Sequence, residues 1–293
     1  MKRLAFFLLT VLISSIACSV ASTPTQVNQP NVETIVAATM QALAPSPEPQ
    51  PTTDPTPQFN GTEINTDSVS LVIPTGMAAG AMMTKIPPSG ADTPHWELTP
   101  GHDELKLNGY VLQNRFHEPK IIIYPAGAFA AMNDGAAENV RRLQIILANP
   151  VSPLSDDLLP HVPFFNAGAV ITAQTETIRF KNGVGVRMLT QYAQSYAIVN
   201  NHELFYHFQG LTSDGGEYII VILPISAPFL AENWEATVPA DGIPFPGYSN
   251  PNADFEAYYQ QLTEKLNTTQ PENFTPSLSA LDALIQSLLI KGH

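Results

Sequence analysis

The chain has 293 residues, 44% of them hydrophobic and only 13% charged, enough to bury one large core or two small ones. Thirteen Lys and Arg against 26 Asp and Glu give a formal charge of −13. That excess argues against nucleic acid, whose phosphates demand a basic surface, and against electrostatic docking on anionic lipid. A single cysteine, Cys18, excludes an intramolecular disulfide.

The chain opens with Lys2 and Arg3, followed by residues 4–17, apolar or small throughout. This is a charged n-region and an apolar h-region of secretory length, shorter than the ~20 residues of a permanent span. Ser15-Ile16-Ala17-Cys18 then resembles the lipobox of the bacterial lipoprotein signal peptide. The resemblance covers residues 1–18 and implies acylation of the Cys18 thiol, with cleavage just before it. A cut by an ordinary signal peptidase near Ala17, leaving a free thiol, is the alternative. The lipoprotein reading expects a chain held to the lipid bilayer through Cys18 and facing outside the cytoplasm. Acyl chains anchor without a basic patch, so the acidic composition is no obstacle.

Residues 18–60 read as a tether. PSPEPQPTTDPTPQ, residues 45–58, alternates proline with small polar residues and has nothing to bury, so an extended spacer is expected. Within it, Val32, Ile35, Val36, Met40 and Leu43 fall on one face of a short helix over 31–43. At about three turns such a helix is marginal alone, and a transient helix is preferred to a docked one.

One domain is expected over 61–293. Strands are predicted over 68–73, 104–113 and 120–126, and a helix over 128–149 capped by Asn133 or Asp134. The stretch 76–90 reads as a short helix or a covering loop. Between 169 and 225, alternating runs broken at Asn182-Gly183 and at Asp214-Gly215-Gly216 predict a meander of four antiparallel strands. The last of these, YIIVILPI, is apolar throughout, as a strand buried on both faces would be. Helices follow over 252–267 and 275–292, the second with Thr275 as N-cap and Pro276 at its first position. Strands in a run, then helices in a run, give an α+β class: an antiparallel sheet packed with helices, two of them C-terminal. The element order is also similar to a PsbP/Mog1-type α/β/α sandwich. That resemblance is one of order alone and carries no function.

The search for chemistry yields little. HELFYH, His202 to His207, spaces its histidines five apart, whereas a zinc-protease helix needs four; on a strand they face opposite ways. His95, His117, His161 and His293 show no ligand spacing, so no metal and no cofactor are expected. His102, Asp103 and Glu104 would build an acid–base site only by meeting Asp214 or Glu217, which is the requirement of a hydrolase acting on wall or extracellular carbohydrate or peptide. The long segment 229–255 carries Trp234, Phe245 and Tyr248 among prolines. Long structureless loops are uncommon unless functional or disordered. Exposed aromatics there suit a sugar ring or an extended peptide, although Trp234 and Phe245 read more simply as covers of a sheet edge. Binding of an envelope protein or saccharide is thus preferred to catalysis.

Overall fold

The computed structural model describes residues 59–149 and 154–292. The signal segment, Cys18, the tether and the 31–43 helix lie outside the described residues. The meander is present: β6 (Gly168–Phe180), β7 (Gly183–Ala193), β8 (Phe205–Thr212) and β9 (Glu217–Pro224) pair in succession. Three earlier strands, β3 (Gly80–Ile86), β4 (His102–Asn108) and β5 (Lys120–Pro125), extend it. The result is a seven-stranded antiparallel sheet of order β3-β4-β5-β9-β8-β7-β6.

The apolar run of β9 follows from its central place and from cover on both sides. Ile219, Val221 and Leu223 enter one core cluster and Tyr218, Ile220 and Ile222 the other. One face is covered by α1 (Ala126–Met132) and α2 (Asp134–Ala148), whose Phe129, Val140, Leu143 and Ile146 point inward. The other is covered by α3 (Phe255–Thr268), α4 (Leu278–Ser287) and a small sheet of β1 (Gly61–Asn65), β2 (Val69–Pro74) and β10 (Leu289–Ile290). Each fully buried Leu, Ile or Phe contributes about 1.5–3 kcal/mol relative to exposure. The class is α+β, with helices on both faces of the main sheet.

Four local expectations are corrected. The 76–90 stretch holds strand β3, in unbroken register with β4 from Gly80↔Asn108 to Ile86↔His102. Its apolar residues face a partner strand that local sequence does not reveal. The helix over 128–149 is two helices. Asn133 adopts an extended backbone (φ −142°) and its side chain accepts from Ala136 N–H at 3.0 Å, so the residue that starts α2 also stops α1. The β6–β7 turn is Lys181-Asn182, one residue earlier than expected and without the positive φ of a type I′ turn. Asn182 is held from outside: its side chain bonds Ile290 at both N–H (3.0 Å) and C=O (2.6 Å). Gly183 is required there because a Cβ would lie 2.1 Å from the Phe180 ring. At the C-terminus, α4 is capped by Ser277 and ends at Ser287. The Ser287 hydroxyl, bonded to Val72 N–H at 2.9 Å, hands the chain to β10, which pairs with β2.

Candidate functional site

Strand alternation separates the polar groups proposed for acid–base work. His102 lies toward α1, its ring 4.4 Å from that of Tyr124, and Glu104 pairs with Lys120 at 2.9 Å. Asp103 turns to the opposite side, where the Ser68 hydroxyl donates to it. Asp214 sits in the β8–β9 turn, accepting from Gly216 N–H at 3.0 Å and from the Thr212 hydroxyl, which hold its pKa below the usual range. Glu217 starts β9, and β5 separates that strand from β4. His102 and Glu104 therefore lie on the opposite face of the sheet from Asp103, and the five do not form one cluster. Among the described residues no group of three or more His, Cys, Asp or Glu is placed to hold a metal. His202 lies in the turn before β8 and His207 is buried within it.

The aromatic residues gather more closely. Phe245 and Tyr248 meet at 5.0 Å, and Phe245 packs on Phe255 (5.4 Å) and Tyr258 (5.3 Å) of α3. Trp234, 66% exposed, makes no ring contact with them and is not part of the cluster. Tyr196 joins from the β7–β8 connection, stacked on Phe255 at 4.3 Å and 9°. α3 and the loop before it pin that connection: in α3 the Tyr258 hydroxyl accepts from Val199 N–H and Tyr259 bonds Ala197 at both N–H and C=O, and from the loop the Tyr248 hydroxyl donates to Tyr196 C=O.

Around the end of β6 and β7 the surface is concave. A pocket of about 380 Å³ is lined by Phe116, His117, Phe164, Phe165 and Tyr192 with the Asn166 and Gln194 amides. His117 stacks on Phe165 (5.5 Å) and abuts Phe205 (4.4 Å), while Tyr192 meets Phe165 edge-on at 5.2 Å. Ala193 and Gln194 carry the pocket into a shallower depression of about 570 Å³ with Tyr196 and Tyr259 on its wall. Tyr192 also borders a larger cleft of about 840 Å³ along β6. The pocket and the depression adjoin at Ala193 and Gln194 as one groove, whereas Tyr192, its hydroxyl accepting from Val162 N–H at 2.9 Å, stands between the pocket and the cleft.

Burial sets its charge. It pushes the His117 imidazole down to about 4, helped by repulsion from Lys120 and His202, and the Tyr192 phenol up to about 12. Both are neutral at neutral pH, so the aromatic pocket is uncharged. Phe116 stands 66% exposed at its mouth.

Of the aromatics expected to bind, Phe245 and Tyr248 support one end of the groove. Phe116, Phe164, Phe165, Tyr192 and Tyr196 went unrecognised. The available signal was large aromatics inside turn-rich stretches, NRFHEP and VPFFN. No family model, no curated protein and no solved structure matches the chain. The groove is therefore read from its own geometry.

Proposed function

We propose that this chain is a lipid-anchored, extracytoplasmic binding protein that holds an envelope ligand in the groove at the β6–β7 end of its sheet. The carrying observation is the aromatic pocket with its neighbouring depression: rings and two amides, with no carboxylate among the described residues that line either. Large exposed rings rimmed by polar groups mark binding surfaces. The anchor reading rests on Ser15-Ile16-Ala17-Cys18 behind an apolar segment, and on the proline-rich stretch that would stand the domain off the bilayer.

Intact mass of the membrane-extracted chain tests the anchor. Acyl mass on an N-terminal Cys18 is expected, and an unmodified Cys18 contradicts it. Photo-cross-linking tests the groove. A benzophenone side chain at position 116 should give discrete adducts in intact envelopes. The same group at Met82, 55% exposed on the opposite edge strand, should not. Equal yields at the two positions, or none at 116, contradict the reading.

A further inference from the structure

The larger cleft has a strand edge for its floor. β6 ends the seven-stranded sheet, and Ala169, Thr172 and Ala173 line the cleft between residues 156–161 on one side and Thr263 and Asn267 of α3 on the other. The direction of the edge groups follows from the ladder. Ser213 N–H bonds Asn182 C=O, so Asn182 faces β8 and Gly183 faces β6. Counting by twos along β7, Leu189 and Gln191 also face β6, opposite Ala173 and Ile171. Thr172 lies between those pairs, so its N–H and C=O turn outward into the cleft. Past Ala173 the edge is in use: Gln174 N–H donates to Asn267 at 2.6 Å, and its side-chain amide donates to the carbonyls of Leu266, Asn267 and Thr269.

Two carboxylates, Asp156 and Glu176, line the cleft against one arginine, Arg187, which is 3% exposed and held by Glu176 and Asp282; Arg142, paired with Glu138, donates to the cleft-lining Leu159 C=O at 2.6 Å. Burial holds His161 below its ordinary pKa, hence neutral. Beyond Tyr192, which lines both, lies the apolar pocket of Phe164 and Phe165. A sugar needs several hydrogen-bonding side chains around each ring. That pocket offers few, and the Gln194 amide already donates to Asn166 C=O at 3.1 Å.

A main-chain edge unpaired among the described residues, an adjacent apolar side-chain pocket and a carboxylate rim are the parts of a strand-addition site. We infer that the β6 edge receives a short, extended, cationic segment of a partner polypeptide. Its main chain bonds Thr172, an apolar side chain enters the Phe164–Phe165 pocket, and Lys or Arg faces Asp156 and Glu176. The inference rests on the reading of the groove as a binding site and names its occupant.

Isothermal titration of the full chain in detergent tests it. The probes are acetylated octapeptides alternating Lys with Phe, Leu or Val, their Glu-for-Lys counterparts, versions N-methylated at alternate residues, and a hexasaccharide of N-acetylglucosamine. The Lys peptides are expected to bind. Glu substitution, N-methylation and Asp156→Asn, a change at an exposed site, are each expected to weaken binding, the first two by about tenfold or more. Equal binding of the N-methylated peptides overturns strand addition, and equal binding of the Glu peptides overturns the charge argument. Saccharide binding with no peptide binding, or no binding of any probe, overturns the inference. If cross-linking from position 116 persists in that case, the groove reading stands without it. If that cross-linking is lost as well, both fall.

Discussion

On the α1–α2 face of the sheet, polar groups are buried as neutral amides, a phenol and imidazoles. Asn139 donates to the Tyr218 hydroxyl at 3.1 Å, Tyr218 donates to Gln209, and Gln209 donates to His161 C=O at 2.8 Å and reaches His207 Nε2 at 2.8 Å. On the α3–α4 face the buried polar group is a charge. Arg187 is gripped by Asp282 (3.1–3.2 Å), Glu176 and the Gln174 carbonyl, and Tyr206 donates to Asp282 at 2.9 Å. Strand β8 supplies both networks, Tyr206 to the charged one and His207 and Gln209 to the neutral one, since alternate residues face opposite ways. The comparison teaches that the two layers respond to different perturbations: the charged one to loss of a partner, the neutral one to protons.

The largest expected effect is on the charged face. Asp282→Ala leaves Arg187 short of its main partner in a dry site and should cost about 3 kcal/mol in denaturant unfolding. Replacing both, Arg187→Met with Asp282→Leu, should recover most of that loss, because no charge is then left buried. A single variant within 1 kcal/mol of the parent on the same scale of about 3 would show that Glu176 and Gln174 suffice.

The smaller effect is pH dependence. Burial pushes His207 down to about 3 and His117 down to about 4, with histidine–histidine repulsion adding to the His207 shift. An unfolded histidine titrates near 6.5. Between those values the unfolded chain binds more protons, so stability falls as pH drops below about 6.5 and goes on falling toward the folded values. Asp282 has the opposite sign: burial raises its pKa despite Arg187 and Tyr206, so its contribution is present in acid and is lost as pH rises through the raised value. Amide protection factors in α2, which divide out the intrinsic rate, should therefore fall before those in α4 as pH is lowered from 7 to 5. Equal responses in the two helices would erase the distinction. The His207 Nδ1 atom, buried with no hydrogen-bond partner among the described residues, marks the α1–α2 face as the less well satisfied one.

Much of the frame was legible because its signals are local. The period-two runs of β6 to β8, the unbroken apolar run of β9 and the apolar stripes of α3 and α4 appear in any short window. What escaped was decided at a distance. β3 is a strand because β4 lies beside it. The Lys181-Asn182 turn is set by Ile290, more than a hundred residues away. Asn133 breaks one apolar pattern into two helices, since an N-cap bond outweighs the propensity to continue. The sequence makes His102 and Asp103 part of a site only if a distant partner meets them, and adjacency in a strand sends their side chains to opposite faces. The groove was hardest to see: Phe116, Phe164 and Tyr196 come from separate connections and Tyr192 from β7, and only the tertiary fold brings them together.

Amide exchange of the full chain, compared in native envelopes and after extraction and washing in detergent, tests the central claim most directly. A ligand held in the groove should protect residues 164–170 and 192–197 in the envelope and not after washing, while β3 exchanges alike in both. Identical exchange at the groove segments in the two states would contradict the account.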